Sequence, residues 1–415
     1  MQSTLYLDTA RLGKMSPRAL DASIDFARFA CDHGFTVQLS TLLRDGFPRW
    51  PAQLQGEYFG LGHWSGVLAF KEQLRQLTHA KPDSEVMLAS RSALLMKFAA
   101  RLFTGRCRNV LVTDTAWPVY RRILDREFAG TGTHTTMFPI RQSILQNSVD
   151  THEVLRQIVG AYLSERCDGL FLPLVDNLGV RLPIERIVAE IRAQSELRFV
   201  VVDAAQAIGH VPIQLADNYC DFMVAGSHKW LRAFATMGLG FYGHPSSRDY
   251  IQQSLKIWTR QGAIDDPLLS FSEELGSGTS NAYGETVEVA PLLVASAAVA
   301  DFQSKRLHDG AERNFQNRHR IAELCQSTAA WQMVQIDDAM TSQIQLLRNR
   351  SLRGRTLSVE SFRDELLRQG VAATPYSNGL LRLSLPDDLL SQVDCEILAT
   401  ALQCDGTSGY DNSST

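Results

Sequence analysis

Two residues of complementary chemistry follow neighbouring apolar runs in the stretch from residue 199 to residue 243. Asp203 ends the run FVVVD, and Lys229 lies three residues after the run DFMVAG. Both positions are at the carboxyl ends of expected strands, where open α/β sheets bind ligands. An amine that can hold an aldehyde, beside a carboxylate that can keep a pyridine nitrogen protonated, is the pair that pyridoxal phosphate (PLP) requires. The alternative is an aspartate that caps a turn and a lysine on a solvated loop.

The elements that would position this pair alternate along the chain. From about residue 64 onward, apolar runs of strand length are separated mostly by segments of helix length, which predicts a mainly parallel, doubly wound sheet of seven strands in an α/β fold. The expected strands cover 86–90, 109–114, 135–140, 169–175, 198–203, 221–226 and 238–243. The order of these strands in the sheet does not follow from the sequence.

The pattern changes after about residue 285. Long helices continue to about residue 325, followed by a few weak strands near 332–347 and 380–385 and a closing helix near 387–403. We therefore expect a large domain over 31–284 and a smaller α+β domain over 285–404, which the N-terminal segment 1–30 joins. The tail 405–415 is rich in polar residues, which predicts disorder.

Composition and charge argue against several classes of partner. The 415 residues carry a formal net charge of −4 without blocks of like charge, so we expect neither a nucleic-acid partner nor a membrane patch. The most apolar stretch, 287–302, is interrupted by charged residues and is shorter than the ~20 residues that span a bilayer, so it predicts a buried helix. The N-terminus lacks a secretory pattern and the cysteines are widely spaced. We therefore expect a cytoplasmic protein with reduced thiols and no metal site.

Two further segments carry a resemblance to a known family. LYLDTARLGKMSP at 5–17 and LLRLSLPDDLLSQVD at 380–394, together with the stretch around Lys229, resemble the class V aminotransferase and cysteine desulfurase family of fold-type I PLP enzymes. The likeness runs over most of the chain. It implies a fold-type I architecture, PLP as cofactor, an amino-acid substrate and an obligate homodimer with the active site at the subunit interface.

The resemblance also assigns roles around the cofactor. Lys229 corresponds to the Schiff-base lysine, Asp203 to the partner of the pyridine nitrogen and Gln206 to the donor to the phenolic oxygen. The phosphate needs N–H groups at a helix N-terminus, which the turn after the first sheet strand offers. The further expected cofactor contacts are Ser90, Arg91, Ser92, Ser227 and His228 for the phosphate, Thr279 for the phosphate of the neighbouring subunit's cofactor, Trp117 for the ring face, and either Asp176 or Asn177 for the cofactor oxygen.

For the substrate, the resemblance implies that Arg382 binds the α-carboxylate, with Arg11 as a second anion contact. A guanidinium group suits a planar carboxylate because it can donate two parallel hydrogen bonds. The one cysteine between Thr279 and Arg382 is Cys325, which lies in a helical pattern rather than in a loop. We therefore expect no cysteine desulfurase activity. What remains is an enzyme that takes a free α-amino acid as an external aldimine and removes its Cα proton with Lys229.

The outcome of that deprotonation stays open among transamination, β-elimination and racemisation. We favour an aminotransferase or β-eliminating lyase of a specialised biosynthetic pathway, with an amino-acid racemase or epimerase as the alternative. A different class, an NAD-dependent oxidoreductase, is raised by GLGFYG at 238–243, which fits G-x-G-x-x-G. The context of this motif is wrong, because the motif itself is typical of a strand and no helix follows at once.

Overall fold

The structure is a computed structural model that describes residues 4–34, 39–146, 150–277, 286–305, 310–328, 330–351 and 358–403. The predicted tail, 405–415, lies outside the described residues. The chain divides into two compact units. The larger unit comprises Leu12–Leu307 with Asp337–Met340, and the smaller unit comprises Met1–Arg11, His308–Ile336 and Thr341–Thr415.

Strands and helices alternate along most of the larger unit. The strands of the two units are β1 (Leu5–Tyr6), β2 (Val86–Ala89), β3 (Asn109–Thr113), β4 (His134–Phe138), β5 (Gly169–Pro173), β6 (Phe199–Asp203), β7 (Phe222–Gly226), β8 (Gly238–Tyr242), β9 (Trp331–Met333), β10 (Ile344–Asn349), β11 (Val371–Ala372), β12 (Thr374–Tyr376) and β13 (Leu380–Ser384). The helices are α1 (Pro17–His33), α2 (Leu39–Asp45), α3 (Ala52–Glu57), α4 (Val67–Leu77), α5 (Ser92–Thr104), α6 (Pro118–Phe128), α7 (Arg141–Leu145), α8 (Thr151–Ser164), α9 (Ile184–Gln194), α10 (Arg248–Arg260), α11 (Pro267–Ser277), α12 (Ala290–Lys305), α13 (Gly310–Ser327), α14 (Val359–Arg368) and α15 (Gln392–Gln403).

The larger unit contains a seven-stranded sheet in the order β2-β8-β7-β6-β5-β3-β4. The neighbours from β7 to β4 are parallel, whereas β8 is antiparallel to both β7 and β2. The prediction of a mainly parallel, seven-stranded α/β sheet is confirmed. Because β8 runs opposite to its two neighbours, β2 has the same direction as β7. The carboxyl ends of β2, β3, β4, β5, β6 and β7 therefore lie at one edge of the sheet.

The central strands are apolar because both of their faces are covered. All residues of β5, β6 and β7 are buried, which matches the continuous apolar runs that parallel strands require. On one face, Phe98 of α5 packs edge-on against Phe222 of β7, with ring centres 5.7 Å apart, and Trp258 of α10 packs edge-on against Phe98 at 5.5 Å. GLGFYG forms the buried strand β8 rather than a turn before a helix, so it does not offer a dinucleotide-binding loop.

The smaller unit contains two sheets. A four-stranded antiparallel sheet has the order β12-β13-β10-β9, and β1 pairs with β11 in parallel. The backbone N–H groups of Leu5 and Leu7 donate to the carbonyl oxygens of Gly370 and Ala372 over 2.8 Å each. Both leucine side chains join the core of this unit, together with residues of α13, α14 and α15.

The boundaries of the units differ from the predicted ones. Residues 12–30 and 286–305, which we expected in the smaller domain, belong to the larger unit. There α1 packs against α12, and the Arg18 side chain donates to the Ala300 carbonyl oxygen over 3.2 Å. The apolar pattern predicts that a helix is buried but does not reveal the element that buries it. Among the described helices, none is long and apolar enough to cross a bilayer.

Candidate active site

The two residues of the predicted pair follow adjacent parallel strands at the same edge of the sheet. Asp203 is the last residue of β6, and its backbone pairs with that of Val224 in β7. Lys229 lies three residues after the end of β7. The pair therefore lies at the sheet edge where the carboxyl ends of six strands meet, as the sequence predicted.

The Asp203 carboxyl group is buried, with 6% of the residue exposed. Burial raises its pKa to about 6, although the N–H of Ala205, which donates to Oδ1 over 2.9 Å, and the positive charge of Lys229 both lower it. Removal of water is thus only partly offset by favourable contacts. A second cation beside this carboxylate would lower its pKa and stabilise the charged form.

The Lys229 amine lies against an aromatic ring. Its Nζ atom is 5.8 Å from the centre of the Trp117 ring, and 46% of Trp117 is exposed. Trp117 occupies the position immediately before α6, where the chain leaves β3. This arrangement leaves a flat aromatic face beside the amine, as expected for a residue that stacks on a cofactor ring.

His228 precedes the lysine and has an unusual environment. Its Nδ1 atom is buried without a hydrogen-bond partner among the described residues. Burial, with a smaller contribution from the Lys229 charge, lowers the pKa of His228 to about 4. An imidazole that is neutral near pH 7 can donate from one nitrogen only, so its capacity to hold an anion depends on its tautomer.

The loop that carries Lys229 is hydrogen-bonded to residues 13–16, a segment far away in the sequence that we call the Gly13 strap. The Gly13 N–H donates to the His228 carbonyl oxygen over 2.8 Å, and the Ser16 N–H donates to the Arg232 carbonyl oxygen over 2.9 Å. A Cβ atom at position 13 would lie 2.0 Å from the Lys229 carbonyl oxygen, so only glycine permits this approach. The strap fixes the backbone on both sides of the lysine.

Gln206 lies in the turn that follows Asp203 and is buried. Its side-chain oxygen accepts a hydrogen bond of 3.0 Å from the indole N–H of Trp230. The sequence predicted Gln206 as a cofactor contact, but it did not single out Trp230.

The predicted phosphate turn follows β2 at the same sheet edge. A Cβ atom at Gly238 would lie 2.6 Å from the Arg91 carbonyl carbon, so this glycine allows the turn to pack against the start of β8. Arg91 is exposed and precedes α5, whose first residue is Ser92. The N–H groups at this helix start are the kind of donors that bind an anion.

Ser90, which the sequence predicted as a phosphate contact, is hydrogen-bonded to Asp266. Its N–H lies 3.1 Å from Oδ2 of Asp266, and its hydroxyl also donates to that oxygen. Asp266 is buried and also accepts the Leu269 N–H at the start of α11 over 2.8 Å. A phosphate at this turn would therefore rely on Arg91 and Ser92 rather than on Ser90.

Another predicted contact, Ser227, has a partner within the larger unit. The Ser227 hydroxyl donates to the Ala235 carbonyl oxygen over 3.1 Å, which ties the two ends of the lysine loop together. Thr279, predicted to act in the neighbouring subunit, lies outside the described residues.

Asp176 and Asn177, between which the sequence did not decide, follow β5 and differ in environment. Asp176 Oδ1 accepts the N–H groups of Leu178 and Val180, each over 2.9 Å, and thereby shapes its own turn. Burial raises the pKa of Asp176 to about 6. Asn177 Oδ1 accepts from the Arg141 side chain over 3.3 Å. The turn-forming contacts of Asp176 favour Asn177 as the residue that could face a ligand.

Arg382 and Arg11 lie in the smaller unit, where Arg382 has acidic and aromatic neighbours. One Arg382 nitrogen lies 3.8 Å from Asp8 Oδ1 and donates to the Thr374 hydroxyl over 3.3 Å. The Thr374 hydroxyl in turn donates to Asp8. The Arg382 guanidinium carbon lies 5.7 Å from the centre of the Tyr376 ring. Arg11 is exposed, and its backbone N–H donates to the Asp8 carbonyl oxygen over 2.9 Å.

Three residues that the sequence did not single out shape the site: Asp266, Trp230 and Gly13. Asp266 precedes Pro267 at a helix start, which is a recognisable capping signal. Trp230 and Gly13 carry no such signal, because their partners are 24 and more than 200 positions away along the chain.

The residues at the sheet edge of the larger unit fit PLP. The buried Asp203 carboxylate lacks a full countercharge, the Trp117 face is exposed beside the Lys229 amine, and the helix start after β2 offers N–H donors. These groups match, in turn, a pyridine nitrogen, an aromatic ring with an aldehyde, and a phosphate.

Comparisons with known proteins point to one family. The family model "Aminotransferase class-V" matches residues 146–330, which include Asp203, Gln206, His228 and Lys229. The mitochondrial cysteine desulfurase of Drosophila melanogaster is 26% identical over 230 residues, which are 54% of this chain and 43% of that protein. The chain thus spans less than half of the length of this curated relative.

Solved structures with the same fold cover nearly the whole chain. The cystine C–S lyase C-DES, in complex with its product cysteine persulfide, has a TM-score of 0.69 at 14% identity and covers 97% of this chain and 98% of its own. Another structure of C-DES has glycine covalently linked to the PLP cofactor. The ureidoglycine–glyoxylate aminotransferase of Bacillus subtilis has a TM-score of 0.64 at 15% identity and covers 100% of this chain and 96% of its own.

Proposed function

We propose that this chain is a pyridoxal-phosphate enzyme of the class V aminotransferase family, whose model matches residues 146–330, and that it removes the Cα proton of a free α-amino acid. The proposed outcome is transamination or β-elimination, and the proposed base is Lys229. The observation that carries the proposal is the position of Lys229 and Asp203 at the ends of adjacent parallel strands, with the Trp117 ring beside the amine.

Lys229 would hold the aldehyde of the cofactor through its amine. When bound, PLP supplies an aldehyde that accepts the substrate amine and a ring that withdraws electrons from Cα. With its Nζ atom no longer bonded to the cofactor, Lys229 would be the base that accepts the Cα proton. The strap at residues 13–16 holds the loop on either side of the lysine, so the amine would be presented from a fixed backbone.

The other residues would orient the ring and balance its charge. Asp203 would keep the pyridine nitrogen of the cofactor protonated. The positive charge of that nitrogen would in turn oppose the effect of burial, which raises the pKa of Asp203 to about 6. Trp117 would cover one face of the ring and exclude water from it. His228, Arg91 and Ser92 would hold the phosphate, and Arg382 the substrate carboxylate. We further propose a cytoplasmic homodimer.

Sulfur transfer through Cys325 is disfavoured by the position of this residue. Cys325 lies in α13, inside the core of the smaller unit. Burial raises the pKa of its thiol to about 11, so the reactive thiolate is scarce near pH 7. We therefore propose that the chain is not a cysteine desulfurase, although relatives carry that name.

The proposal is tested by product analysis. Purified protein, loaded with PLP, is incubated with a panel of α-amino acids, with and without an oxo-acid acceptor, and the products are identified by mass spectrometry. Transamination gives more than one equivalent of the oxo acid per active site only when the acceptor is present. β-Elimination from cysteine, cystine or serine gives pyruvate and ammonia without an acceptor.

Other results would redirect or reject the proposal. Alanine formed from cysteine, and lost in Cys325→Ser, would establish desulfuration. Exchange of the Cα hydrogen with inversion, and without net products, would establish racemisation. A protein that gains no visible absorption band with PLP contradicts the proposed site altogether.

A further inference from the structure

Trp230, the residue after Lys229, makes a polar contact that gives Gln206 a defined orientation. Its indole N–H donates to the Gln206 side-chain oxygen over 3.0 Å, and both side chains are buried. A glutamine amide has one oxygen that accepts and one NH₂ group that donates, whereas an indole N–H can only donate. Trp230 therefore fixes the oxygen end of Gln206 towards itself and turns the NH₂ group away.

The turn that carries Gln206 also packs against Trp230, both at its ring and at its backbone. The centre of the His210 ring lies 4.0 Å from that of Trp230. Gly209 has a φ of 100°, and a Cβ atom there would lie 2.8 Å from the Trp230 carbonyl carbon, so a larger residue is excluded. Burial lowers the pKa of His210 to about 3, which keeps this neighbour uncharged near pH 7. The indole is thus packed tightly without an added charge.

We propose that Trp230 is a positioning residue that makes Gln206 a hydrogen-bond donor to the phenolic oxygen of the cofactor. The inference rests on the proposed function and on the role that the family resemblance implies for Gln206, that of a donor to this oxygen. The NH₂ group of Gln206 stabilises negative charge on the oxygen, whereas an amide oxygen turned towards it would repel that charge. Because an amide can rotate by 180° with little change in shape, the choice between these two orientations needs an external partner, and Trp230 supplies it.

The contact has a measurable consequence for the cofactor-loaded protein. The phenolic oxygen shares a proton with the nitrogen through which Lys229 holds the cofactor. A hydrogen bond donated to the phenolic oxygen stabilises its negative charge, and this lowers the pKa of the shared proton. Loss of the donor therefore raises that pKa. The visible absorption band reports this equilibrium directly, without substrate and without turnover.

The experiment is a pH titration of the visible band in holoenzyme variants. Trp230→Phe keeps an aromatic ring but removes the donor, and it should raise the midpoint by about half a unit to one unit, the size of one ordinary hydrogen bond. Gln206→Leu should shift the midpoint in the same direction. The double variant should shift it no further than Gln206→Leu alone, because Trp230 acts through Gln206.

Trp64→Phe is the matched control. Trp64 is also buried in the larger unit, and its indole N–H donates to the Leu42 carbonyl oxygen over 2.9 Å. This substitution removes an indole hydrogen bond of the same kind that does not involve Gln206. It should lower stability but leave the midpoint of the band unchanged.

The outcomes separate the inference from the proposed function. Wild-type protein without a visible band contradicts the proposed function. If the band is present and Gln206→Leu shifts it, an unchanged midpoint in Trp230→Phe overturns the inference, and so do additive shifts in the double variant. Should Trp230→Phe fail to fold, Gln206→Glu decides the question, since a carboxylate still accepts from Trp230 but cannot donate. An unchanged midpoint in Gln206→Glu also overturns the inference.

Discussion

Buried carboxyl groups in the two units have different neighbours. Asp203, at the sheet edge of the larger unit, has a pKa raised to about 6 by burial, which the Lys229 charge only partly offsets. Asp8, in the smaller unit, is also raised in pKa by burial, but it accepts from Thr374 and lies 3.8 Å from the Arg382 guanidinium. The charge of Lys229 leaves the pKa of Asp203 raised, so a further cation would stabilise the charged form of Asp203, whereas Asp8 already has a hydroxyl donor and a guanidinium beside it.

This difference bears on how each region would receive a ligand. A protonated ring nitrogen beside Asp203 adds a favourable charge interaction at a site that is short of positive charge. If Arg382 binds the substrate carboxylate as proposed, that carboxylate would have to compete with Asp8 for the same guanidinium. The surroundings of Asp203 thus favour binding of a cation. At Arg382, an anion would bind only if it displaces Asp8 from the guanidinium. Five substitutions test this contrast.

Lys229→Ala should have the largest effect. The substitution removes both the amine that holds the cofactor and the base that moves the Cα proton, so we expect turnover to fall by at least about 10⁴-fold. Borohydride reduction followed by peptide mapping should fix PLP on the Lys229 peptide in the wild type and not in the variant. Lys256→Ala, at an exposed position on α10, is the control and should keep full activity. PLP fixed at another lysine in the wild type would contradict the assignment.

Asp203→Asn should lower kcat by about 10²- to 10³-fold, because an amide cannot stabilise the positive charge on the ring nitrogen. Cofactor binding should weaken much less, since the covalent link and the phosphate contacts stay. Steady-state kinetics and a cofactor titration of the same preparation separate the two effects. Asp125→Asn, at an exposed position on α6, is the control. A kcat near that of the wild type would reduce Asp203 to a residue that shapes its turn.

Asp176→Asn should change how stability depends on pH in the cofactor-free protein. Burial raises the folded-state pKa of Asp176 from the ordinary value of 3.8 to about 6. Its stabilising contribution is therefore complete below about pH 3.8 and is lost as the pH rises through about 6. The loss is on the order of 2–3 kcal/mol at neutral pH, or roughly 10²-fold in the unfolding equilibrium. Urea unfolding at pH 4.5 and pH 7.5 should show a smaller difference in the variant than in the wild type, and an unchanged difference would contradict the assigned pKa.

Arg382→Ala should reduce kcat/KM for α-amino acids by about 10- to 100-fold. This factor corresponds to the loss of one charge-assisted contact of about 1.5–3 kcal/mol. The spectrum of the cofactor-loaded protein should stay unchanged. Arg382→Lys should recover only part of the loss, because a point charge replaces a planar fork. Arg368→Ala is the matched control, since Arg368 pairs with Glu365 but is well exposed on α14. An effect no larger than that of the control would assign the substrate carboxylate to another residue, with Arg11 and Arg91 as the first candidates.

Asp8→Asn should have the smallest effect and the opposite sign. Removing the competing charge should lower KM for the amino acid by about three- to tenfold, which corresponds to about 0.7–1.4 kcal/mol, while kcat stays nearly constant. Glu360→Gln, at an exposed position in the same unit, should leave KM unchanged. A raised KM would mean that Asp8 orients Arg382 for the substrate rather than competing with it.

The sequence was sufficient for features that depend on local pattern. Each of the seven strands of the large sheet was expected within one or two residues of its observed bounds, because all of them except β4 are fully buried and therefore form continuous apolar runs. The Asp203–Lys229 pair followed from where two such runs end. The resemblance assigned Gln206 and Trp117 to the same edge of the sheet.

Features that depend on partners far along the chain were not accessible in this way. The strand order, including the position of β8 between β2 and β7, depends on pairings that no local pattern specifies. The hydrogen bond from Ser90 to Asp266 joins residues that are 176 positions apart. The assignment of α1 to the larger unit depends on its contact with α12, because an amphipathic helix can cover any apolar surface of suitable shape.

The Gly13 strap bears on the order in which the site can form. The Arg232 side chain donates to the Lys14 carbonyl oxygen across 218 positions, so the lysine loop is held by one of the longest-range closures in the larger unit. Contacts of such separation form late, since the entropy of closing a long chain segment must be offset by structure already in place. The sheet can therefore assemble before the loop acquires its final backbone. A nascent chain would thus have a largely folded core before it has a lysine able to capture its cofactor.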